Sequence, residues 1–369
     1  ATTEPVHPAK SKKPGSLLLF VNSAIRLGPG IIQFQPAVKL GMNLADRWFV
    51  NQNRKRHLED GSTPAGVIDD QTAMSRAIVQ SFRRMLTERR LSRATFQKAS
   101  SILAKDLLIM GSNLAEKSEK FRAKFGFDSP SFILVSPTRA CNLRCTGCYA
   151  DADEQAKSLD WDLLEKLVAD AHDLWGAQFI VISGGEPLAY RSQGKTIFDL
   201  AEMHSDVFFM FYTNGTLITP AVAQRMADLG NLIPMISLEG WKERTDARRG
   251  EGVFEQVMAA MDLLYDAGVI YGTSLTAMRN NAEEILSEEF VDFLFLKKHV
   301  SIAWMFQYMP IGRAYTLDFM VTPQQRLWMW NQSWKYVREK GYFIADFWNH
   351  GTVVDGCLSA GGHGHGGYL

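Results

Sequence analysis

The sequence predicts an α/β fold whose parallel sheet curls into an open or closed barrel, preceded by a basic and mostly helical N-terminal extension. From residue 131 onward, short β-rich runs alternate with helical patterns about six times. Regular alternation of this kind favours parallel strands joined by crossover helices. A length of 369 residues, with 46% hydrophobic and 22% charged residues, fits one large domain with an appendage or two domains.

Charge divides the chain into two regions. Residues 1–130 contain 21 Lys and Arg against 11 Asp and Glu, whereas residues 131–369 contain 19 against 29, although the net charge is zero. Opposite charges predict two modules, and we interpret residues 1–130 as a basic helical accessory region that faces an anionic partner.

Apolar residues at three- and four-residue spacing predict two helices in this accessory region, one from Met74 to Leu86 and one from Phe96 to Met110. The stretch FRRMLTERRLSR, at the end of the first helix and before the second, contains five arginines: Arg83, Arg84, Arg89, Arg90 and Arg93. They form either a solvated helix face or a surface for anionic lipid, for nucleic acid or for the acidic module. Of these partners, we do not expect nucleic acid.

The start of the chain bears on its location. Residues 15–50 are apolar, but Arg26, Pro29, Pro36 and Lys39 interrupt them too often for a spanning helix of about 20 apolar residues. A buried helical hairpin or an interfacial amphipathic segment fits better. Because the chain begins without Met and without a signal-peptide pattern, we expect a fragment or a processed chain located in the cytoplasm. Peripheral attachment to an anionic membrane through residues 1–130 is the alternative.

Strands and helices are predicted to alternate along the barrel region. Strands are predicted at 131–136, at runs ending at Ser183, Thr213 and Ser237, and at 269–277 and 301–308. Helices are predicted at 159–175 with Asp160 as N-cap, at 219–230, and at 254–268 with Gly268 as C-terminal cap.

Chemically distinctive residues follow four of these strands. A cysteine loop comes after the first strand, Gly184 to Pro187 after the second, Asn214 after the third, and Ser237 to Gly240 after the fourth. Because the carboxyl ends of parallel strands meet at one face, we expect these residues to form one site. Each of them alone is also compatible with an ordinary turn.

The cysteine loop contains Cys141, Cys145 and Cys148 in the spacing C-x3-C-x2-C, and the chain has one other cysteine, Cys357. Cysteines so close in sequence are poorly placed for disulfides between distant parts of a fold. A structural zinc site needs four ligands, usually two pairs. Three thiolates can instead hold three irons of a 4Fe-4S cluster, which leaves the fourth iron open. Free thiols, or zinc completed by a remote His, are the alternatives.

Ordered motifs in this part of the chain resemble those of the radical S-adenosylmethionine (radical SAM) superfamily. They are the cysteine loop, Gly184-Gly185-Glu186-Pro187 (similar to the GGEP motif), Tyr212 to Thr216 (the TNG element), Ser237 to Gly240, Arg249-Gly250, and Tyr308 to Ala314 with its Pro-x-Gly stretch. The resemblance covers about residues 131 to 315.

The resemblance implies a partial (β/α)6 TIM-like radical SAM barrel at 131–315. It implies that Cys141, Cys145 and Cys148 hold a 4Fe-4S cluster, and that S-adenosylmethionine binds at its open iron. The residues expected to bind this cofactor are Gly184, Gly185, Glu186, Pro187, Asn214, Ser237, Glu239, Arg249 and Met309. Glu186 would accept a hydrogen bond from the methionyl amino group. A reducing partner such as flavodoxin or ferredoxin is also expected.

Two positions depart from the family pattern. Gly147 stands where relatives often have an aromatic residue, and Tyr149 follows the third cysteine instead. Glu239 replaces an Asp that is common in the fourth-strand element, and this change keeps the carboxylate.

The C-terminal part is expected to contain two segments. Residues 316–350 would form a helical segment that closes the barrel, and residues 351–369 would begin a SPASM- or twitch-like extension at Cys357 that is either truncated or missing. An auxiliary iron–sulfur cluster would need that extension to be completed. His350, His363 and His365 read either as a metal cluster or as incidental residues of a glycine-rich tail, and we favour the latter.

The motifs predict an enzyme that reductively cleaves S-adenosylmethionine to abstract hydrogen from a peptide or protein. The same chemistry on a lipid or membrane-borne substrate is one alternative, motivated by the basic and apolar N-terminal region. A non-catalytic iron–sulfur electron carrier is the other. No residue that acts on the substrate is predicted.

Overall fold

The structure is a computed structural model, and it describes residues 63–99, 113–127, 129–130, 132–354 and 367–368, with scattered residues between 40 and 55. Its strands are β1 (Ile133–Val135), β2 (Phe179–Ile182), β3 (Phe208–Thr213), β4 (Leu232–Leu238), β5 (Gly272–Ala277), β6 (Ala303–Gln307), β7 (Ile344–Asp346) and β8 (Gly367–Tyr368). They form one sheet in the order β7-β6-β5-β4-β3-β2-β1-β8, and every pair is parallel.

The sheet curls into a partial barrel. Residues from β1 at one side and from β6 and the segment after β7 at the other line the same cavity, which a flat sheet would not allow. Within the described residues, β7 and β8 do not pair with each other, so the barrel is open. This confirms the predicted α/β partial-barrel fold.

The helices cover the outside of this barrel. They are α1 (Ala65–Thr87), α2 (Asn113–Phe125), α3 (Trp161–Trp175), α4 (Ile197–Met203), α5 (Pro220–Leu229), α6 (Lys242–Arg249), α7 (Val253–Ala267), α8 (Ala282–Ile285), α9 (Glu288–Asp292) and α10 (Pro323–Lys335). Residues 93–99 are also helical, and π-helical turns lie at Phe293–Lys297 and Tyr336–Lys340. Asp160 caps α3 by accepting a hydrogen bond from the Asp162 N–H, and Gly268 ends α7 with a left-handed conformation, as predicted.

Two apolar layers explain why the strands read as continuous hydrophobic runs. Outward residues such as Ile180, Ile182 and Phe209 pack under the helices in the main core. Inward residues such as Val181 and Met210 form a smaller cluster inside the barrel. Strands buried on both faces lose the polar alternation of a one-sided sheet.

Helix α1 and the segment after it close the end of the barrel where the strands begin. The side chain of Arg84 donates to the Gly341 carbonyl (3.1 Å), and Arg90 donates to the Ser301 hydroxyl (2.7 Å). The Ser92 N–H donates to the Gly268 carbonyl (2.9 Å). The three acceptors precede β7, β6 and β5, so this contact covers the strand starts.

For Arg84 and Arg90, this contact distinguishes a surface that binds the barrel from a solvated helix face and from a surface for an external partner. Burial lowers the pKa of both Arg84 and Arg90, and Arg90 is 9% exposed. They bind the barrel itself rather than presenting charge to an external partner. Arg89 and Arg93 are exposed.

The prediction of six strands was incomplete, because β7 pairs with β6 inside the segment expected to be helical and β8 pairs with β1. The sequence of β7, Ile344-Ala345-Asp346, is not the continuous apolar run that identified the equally short β1. His350, in the same segment, is buried, with its ring nitrogens beside the Ser333 hydroxyl (2.9 Å) and the Asp346 N–H (3.2 Å).

Several predicted features lie outside the described residues. These are most of the apolar stretch 15–50, the helical pattern at 102–110, Cys357, His363 and His365. Among the residues that are described, no helix combines the length and the apolar character needed to cross a bilayer.

Candidate active site

A cavity of about 530 Å³ lies at the carboxyl ends of the strands. On one side it is lined by the cysteine loop and the residues that follow β2, β3 and β4. On the other side it is lined by aromatic residues from β6 and the segment after β7. The sulfur-containing half and the aromatic half therefore line a single space.

The cysteine loop, residues 141–148, is held by backbone hydrogen bonds at three places. The Cys141 N–H donates to the Asp153 carbonyl (3.1 Å), the Thr146 N–H to the Arg248 carbonyl (2.9 Å), and the Arg313 N–H to the Cys148 carbonyl (2.9 Å). All three thiols are partly buried and line the cavity. Burial raises the pKa of the Cys141 thiol to about 11, although the Leu143 N–H opposes the shift.

Gly184 and Gly185 pack directly on the start of this loop. Gly184 has φ +113°, and a Cβ there would lie 2.2 Å from the Thr138 oxygen; at Gly185 it would lie 2.3 Å from the Ala140 oxygen. Instead, the Gly185 N–H donates to the Thr138 carbonyl at 2.7 Å. Only glycine permits this approach, and both residues line the cavity.

Glu186 occupies a different place from the one expected. It is fully buried and does not line the cavity. Its carboxylate accepts hydrogen bonds from the Leu188 N–H (3.0 Å), the Thr213 hydroxyl (2.8 Å) and the Asn214 N–H (2.7 Å). Burial raises its pKa, and these three donors oppose the shift. Glu186 therefore joins the ends of β2 and β3, and its contact with the cofactor stays a prediction.

Pro187 follows the same pattern. It starts a short 3-10 turn, Pro187–Ala189, and is buried outside the cavity lining. Its fixed φ suits the first position of that turn.

Asn214 lies beside the first cysteine. Its side-chain nitrogen is 3.8 Å from the Cys141 sulfur and donates to the Asn142 side-chain oxygen at 2.9 Å, while its own oxygen accepts from the Thr216 N–H (2.9 Å). Asn214 and Ser237, which follows it around the barrel, both line the cavity.

Glu239 and two arginines form a buried charge cluster. One carboxylate oxygen accepts from Arg248 Nη1 (2.6 Å) and from Arg249 Nε (2.9 Å) and Nη2 (2.5 Å). Burial alone would lower the pKa of Arg249, but the Glu239 carboxylate together with Cys145 and Cys148 raises it above its usual value. Both arginines line the cavity, whereas Glu239 is fully buried behind them.

Arg248 was missed by sequence reasoning. Its Nε donates to the Thr146 carbonyl (3.2 Å) and its Nη2 to the Gly147 carbonyl (3.5 Å), between the second and third cysteines. The doubled arginine in "ARRG" was the available signal, but a charge near a helix end usually reads as solvated.

Gly147, the departure from the family pattern, is covered by Tyr308. Gly147 has φ +66°, and a Cβ there would lie 2.8 Å from a ring carbon of Tyr308. The Tyr308 hydroxyl accepts from the Thr316 N–H (3.2 Å) and its ring packs edge-on against Phe319. Tyr308, Tyr149 and Met309 line the cavity.

The aromatic half of the cavity was also missed. Its members are Tyr212, Trp304, Phe306, Phe347 and Trp348. Phe306 contacts three of the others, with ring centroids 5.4 Å from Tyr212, 6.3 Å from Trp304 and 5.3 Å from Phe347. We call these five residues the aromatic wall. In the sequence Tyr212 begins the TNG element, and the other four read as ordinary core residues.

The donor set fits an iron–sulfur cluster with one open iron. Three thiols line one cavity, which is the number such a cluster needs. Within the described residues, no three His, Cys, Asp or Glu side chains converge on a site for a single metal ion.

Comparison with known proteins agrees with this geometry. Residues 135–291 match the family model of the radical SAM superfamily. The match spans 157 of the 369 residues and shows that this part of the chain is similar to the superfamily whose motifs it resembles.

Two curated relatives illustrate how similar their sequences are to this chain and how much of it they cover. The AdoMet-dependent heme synthase of Nitratidesulfovibrio vulgaris is 32% identical over 202 residues, covering 52% of this chain and 53% of the relative. The mycofactocin maturase MftC of Mycolicibacterium smegmatis is 31% identical over 163 residues, covering 43% and 41%. The chain thus spans about half the length of the curated relatives it matches.

Solved structures share the fold of the radical SAM barrel. Streptococcus suis SuiB bound to the precursor peptide SuiA aligns with a TM-score of 0.51 at 16% identity, over 66% of this chain and 54% of SuiB. The anSMEcpe enzyme with bound AdoMet aligns with a TM-score of 0.50 at 19% identity, over 62% and 68%.

Proposed function

We propose that this protein is a radical SAM enzyme that modifies a peptide or protein by hydrogen abstraction. One observation carries the proposal. Cys141, Cys145 and Cys148 line the same cavity as Gly184, Gly185, Asn214, Ser237, Arg249 and Met309, nine of the twelve residues expected from the motifs.

The three cysteines would hold a 4Fe-4S cluster whose fourth iron binds S-adenosylmethionine. When bound, the reduced cluster and S-adenosylmethionine together supply a 5′-deoxyadenosyl radical that abstracts hydrogen from an unreactive C–H bond. Gly184 and Gly185 bring backbone to the cavity surface, where a ligand amino group can approach it. Arg249 presents a buried positive charge that suits a ligand carboxylate.

The remaining predicted residues would act behind this surface. Glu186 orients Asn214, and Glu239 orients Arg248 and Arg249. The accessory region closes the far end of the barrel, and the inner apolar cluster fills it. Together they limit water at the place where a reactive intermediate would form.

A peptide substrate is supported by the relatives. MftC is named a maturase, and SuiB was solved with its precursor peptide. The heme synthase relative makes a tetrapyrrole a second candidate. The lipid alternative has less support, because two arginines of the basic region that motivated it, Arg84 and Arg90, bind the barrel. A simple electron carrier has no use for a cavity of about 530 Å³ beside its cluster.

We further propose that a flavodoxin or ferredoxin reduces the cluster, and that the protein works in the cytoplasm. The division into an accessory region at 1–130, a core at 131–315, a closing segment at 316–350 and an extension at 351–369 also remains a proposal. An auxiliary cluster at Cys357 would depend on that extension.

The test is product formation under anaerobic conditions. Reconstituted protein given dithionite and S-adenosylmethionine should release 5′-deoxyadenosine, and Cys145→Ala should release none above background. Cys357→Ala is the matched control and should retain the activity. Equal yields from wild type and Cys145→Ala would refute the proposal.

A further inference from the structure

The aromatic half of the cavity carries information about the substrate. The residues lining this half come from β3, β5, β6 and the segment after β7. Among all described residues that line the cavity, the only side chains with a full charge are Arg248 and Arg249, and both are paired with Glu239. No described carboxylate lines the cavity.

Packing within the protein leaves part of the surface of the aromatic wall exposed to the cavity. Tyr212, Trp304, Phe306 and Phe347 are only partly buried, and Trp348 is 39% exposed. Aromatic surface left facing a cavity is stabilised when an apolar group covers it. A charged group placed there would lose hydration without gaining a partner of opposite charge.

Neutral hydrogen-bonding groups accompany these rings. Ser274, Thr276 and Gln307 line the same half of the cavity. A hydrocarbon chain would leave these groups without partners, whereas the amide groups of a peptide can both donate to them and accept from them. The mouth continues the apolar character, since Met309 is 37% and Ile311 is 51% exposed.

We infer that the part of the substrate that enters this cavity is an uncharged aromatic or aliphatic side chain of a peptide, held against the aromatic wall. The inference rests on the proposed function in taking the ligand to be a peptide. It goes further in specifying the side chain and the surface that selects it. Phe306, which contacts three members of the wall, is the central residue for this selection.

The test measures binding of capped tripeptides, acetyl-Gly-X-Gly-amide, to the full chain by isothermal titration without reductant. With X as Phe or Leu, the dissociation constant should be at least about tenfold lower than with X as Asp or Lys. Phe306→Ala should weaken binding of the Phe peptide about tenfold or more and leave the weak Asp and Lys peptides unchanged. Phe254→Ala is the matched control, because Phe254 lies on α7, is partly buried against the core and does not line the cavity.

Three outcomes would overturn the inference. In the first, the charged peptides bind as tightly as the apolar ones. In the second, Phe306→Ala does not change the binding of the apolar peptides. The third is monomeric dihexanoylphosphatidylcholine displacing the Phe peptide with higher affinity, which would assign the wall to a lipid. Phe306→Leu, which keeps an apolar side chain, guards against a folding defect and should retain most of the preference.

The two proposals fail separately. Peptide binding needs no cleavage of S-adenosylmethionine, and formation of 5′-deoxyadenosine in the absence of peptide needs no substrate pocket. Cleavage with no preference among peptides would refute the inference alone.

Discussion

Arg248 shows how one side chain can organise a candidate cofactor site without being a ligand. It links the buried Glu239 at the end of β4 to the backbone between Cys145 and Cys148. The side chain is 11% exposed, so these contacts are shielded from water. We therefore assign Arg248 as a positioning residue for the cysteine loop.

Replacing Arg248 should loosen the loop while leaving the thiols in place. We expect Arg248→Met to lower the affinity for S-adenosylmethionine about 10- to 100-fold, because hydrogen bonds from a charged group contribute about 1.5–3 kcal/mol. Equilibrium dialysis of reconstituted protein measures this, together with the iron content.

Arg244→Met is the control for this prediction, because Arg244 lies on the same helix, is 42% exposed and pairs with Glu284 at 3.6 Å. If both variants bound the cofactor like wild type, Arg248 would have no positioning role.

Helix α1 and the segment after it, which contains Arg90, act at the scale of an element, because they join the accessory region to the barrel. Arg90 is buried between Tyr265 and Tyr271, whose ring centroids lie 5.8 and 5.5 Å from its guanidinium carbon, and it donates to Ser301. An element held in this way is part of the folded barrel rather than a separate surface.

Charge reversal distinguishes the buried arginine from an exposed one. Arg90→Glu would bury a carboxylate without a partner and should lower the free energy of unfolding by about 3 kcal/mol or more. Arg93→Glu, at an exposed position, should change it by less than about 0.5 kcal/mol. Urea unfolding followed by circular dichroism measures both. Similar small effects would mean that the segment after α1 is not packed on the barrel.

His350 links α10 to β7 and makes their contact dependent on pH. Burial lowers the pKa of His350 to about 4, and its ring packs on Trp334 with centroids 4.4 Å apart. In the unfolded chain this residue takes up a proton near pH 6.5, so its contribution is complete above that pH and is lost as the pH falls towards 4. The loss should reach up to about 3 kcal/mol.

Comparing wild type with His350→Gln between pH 7 and pH 4.5 isolates this term. The wild type should lose more stability over that range than the variant does. Burial also raises the pKa of the neighbouring Asp346, which acts in the opposite direction and is present in both proteins. Parallel pH profiles of unfolding would contradict the assignment.

At the scale of the whole molecule, the sequence predicted the barrel well because its strands are buried on both faces and followed by distinctive turns. Strand β7 was missed because its residues, Ile344 to Asp346, do not form a continuous apolar run like that of the equally short β1. The aromatic wall was missed because its members come from three separate parts of the chain, which only the barrel brings together. Glu186 belongs to a recognisable motif, but its burial behind the cavity depends on Thr213 and Asn214, which sequence alone does not bring close.

The account as a whole depends on the cysteine loop holding a cluster that S-adenosylmethionine can reach. Electron paramagnetic resonance of the reduced, reconstituted full chain tests this most directly. We expect about four iron atoms per chain and a spectrum that changes when S-adenosylmethionine is added, with both lost in Cys141→Ala, Cys145→Ala and Cys148→Ala. A spectrum unchanged by the cofactor, or a cluster that survives these substitutions, would contradict the account.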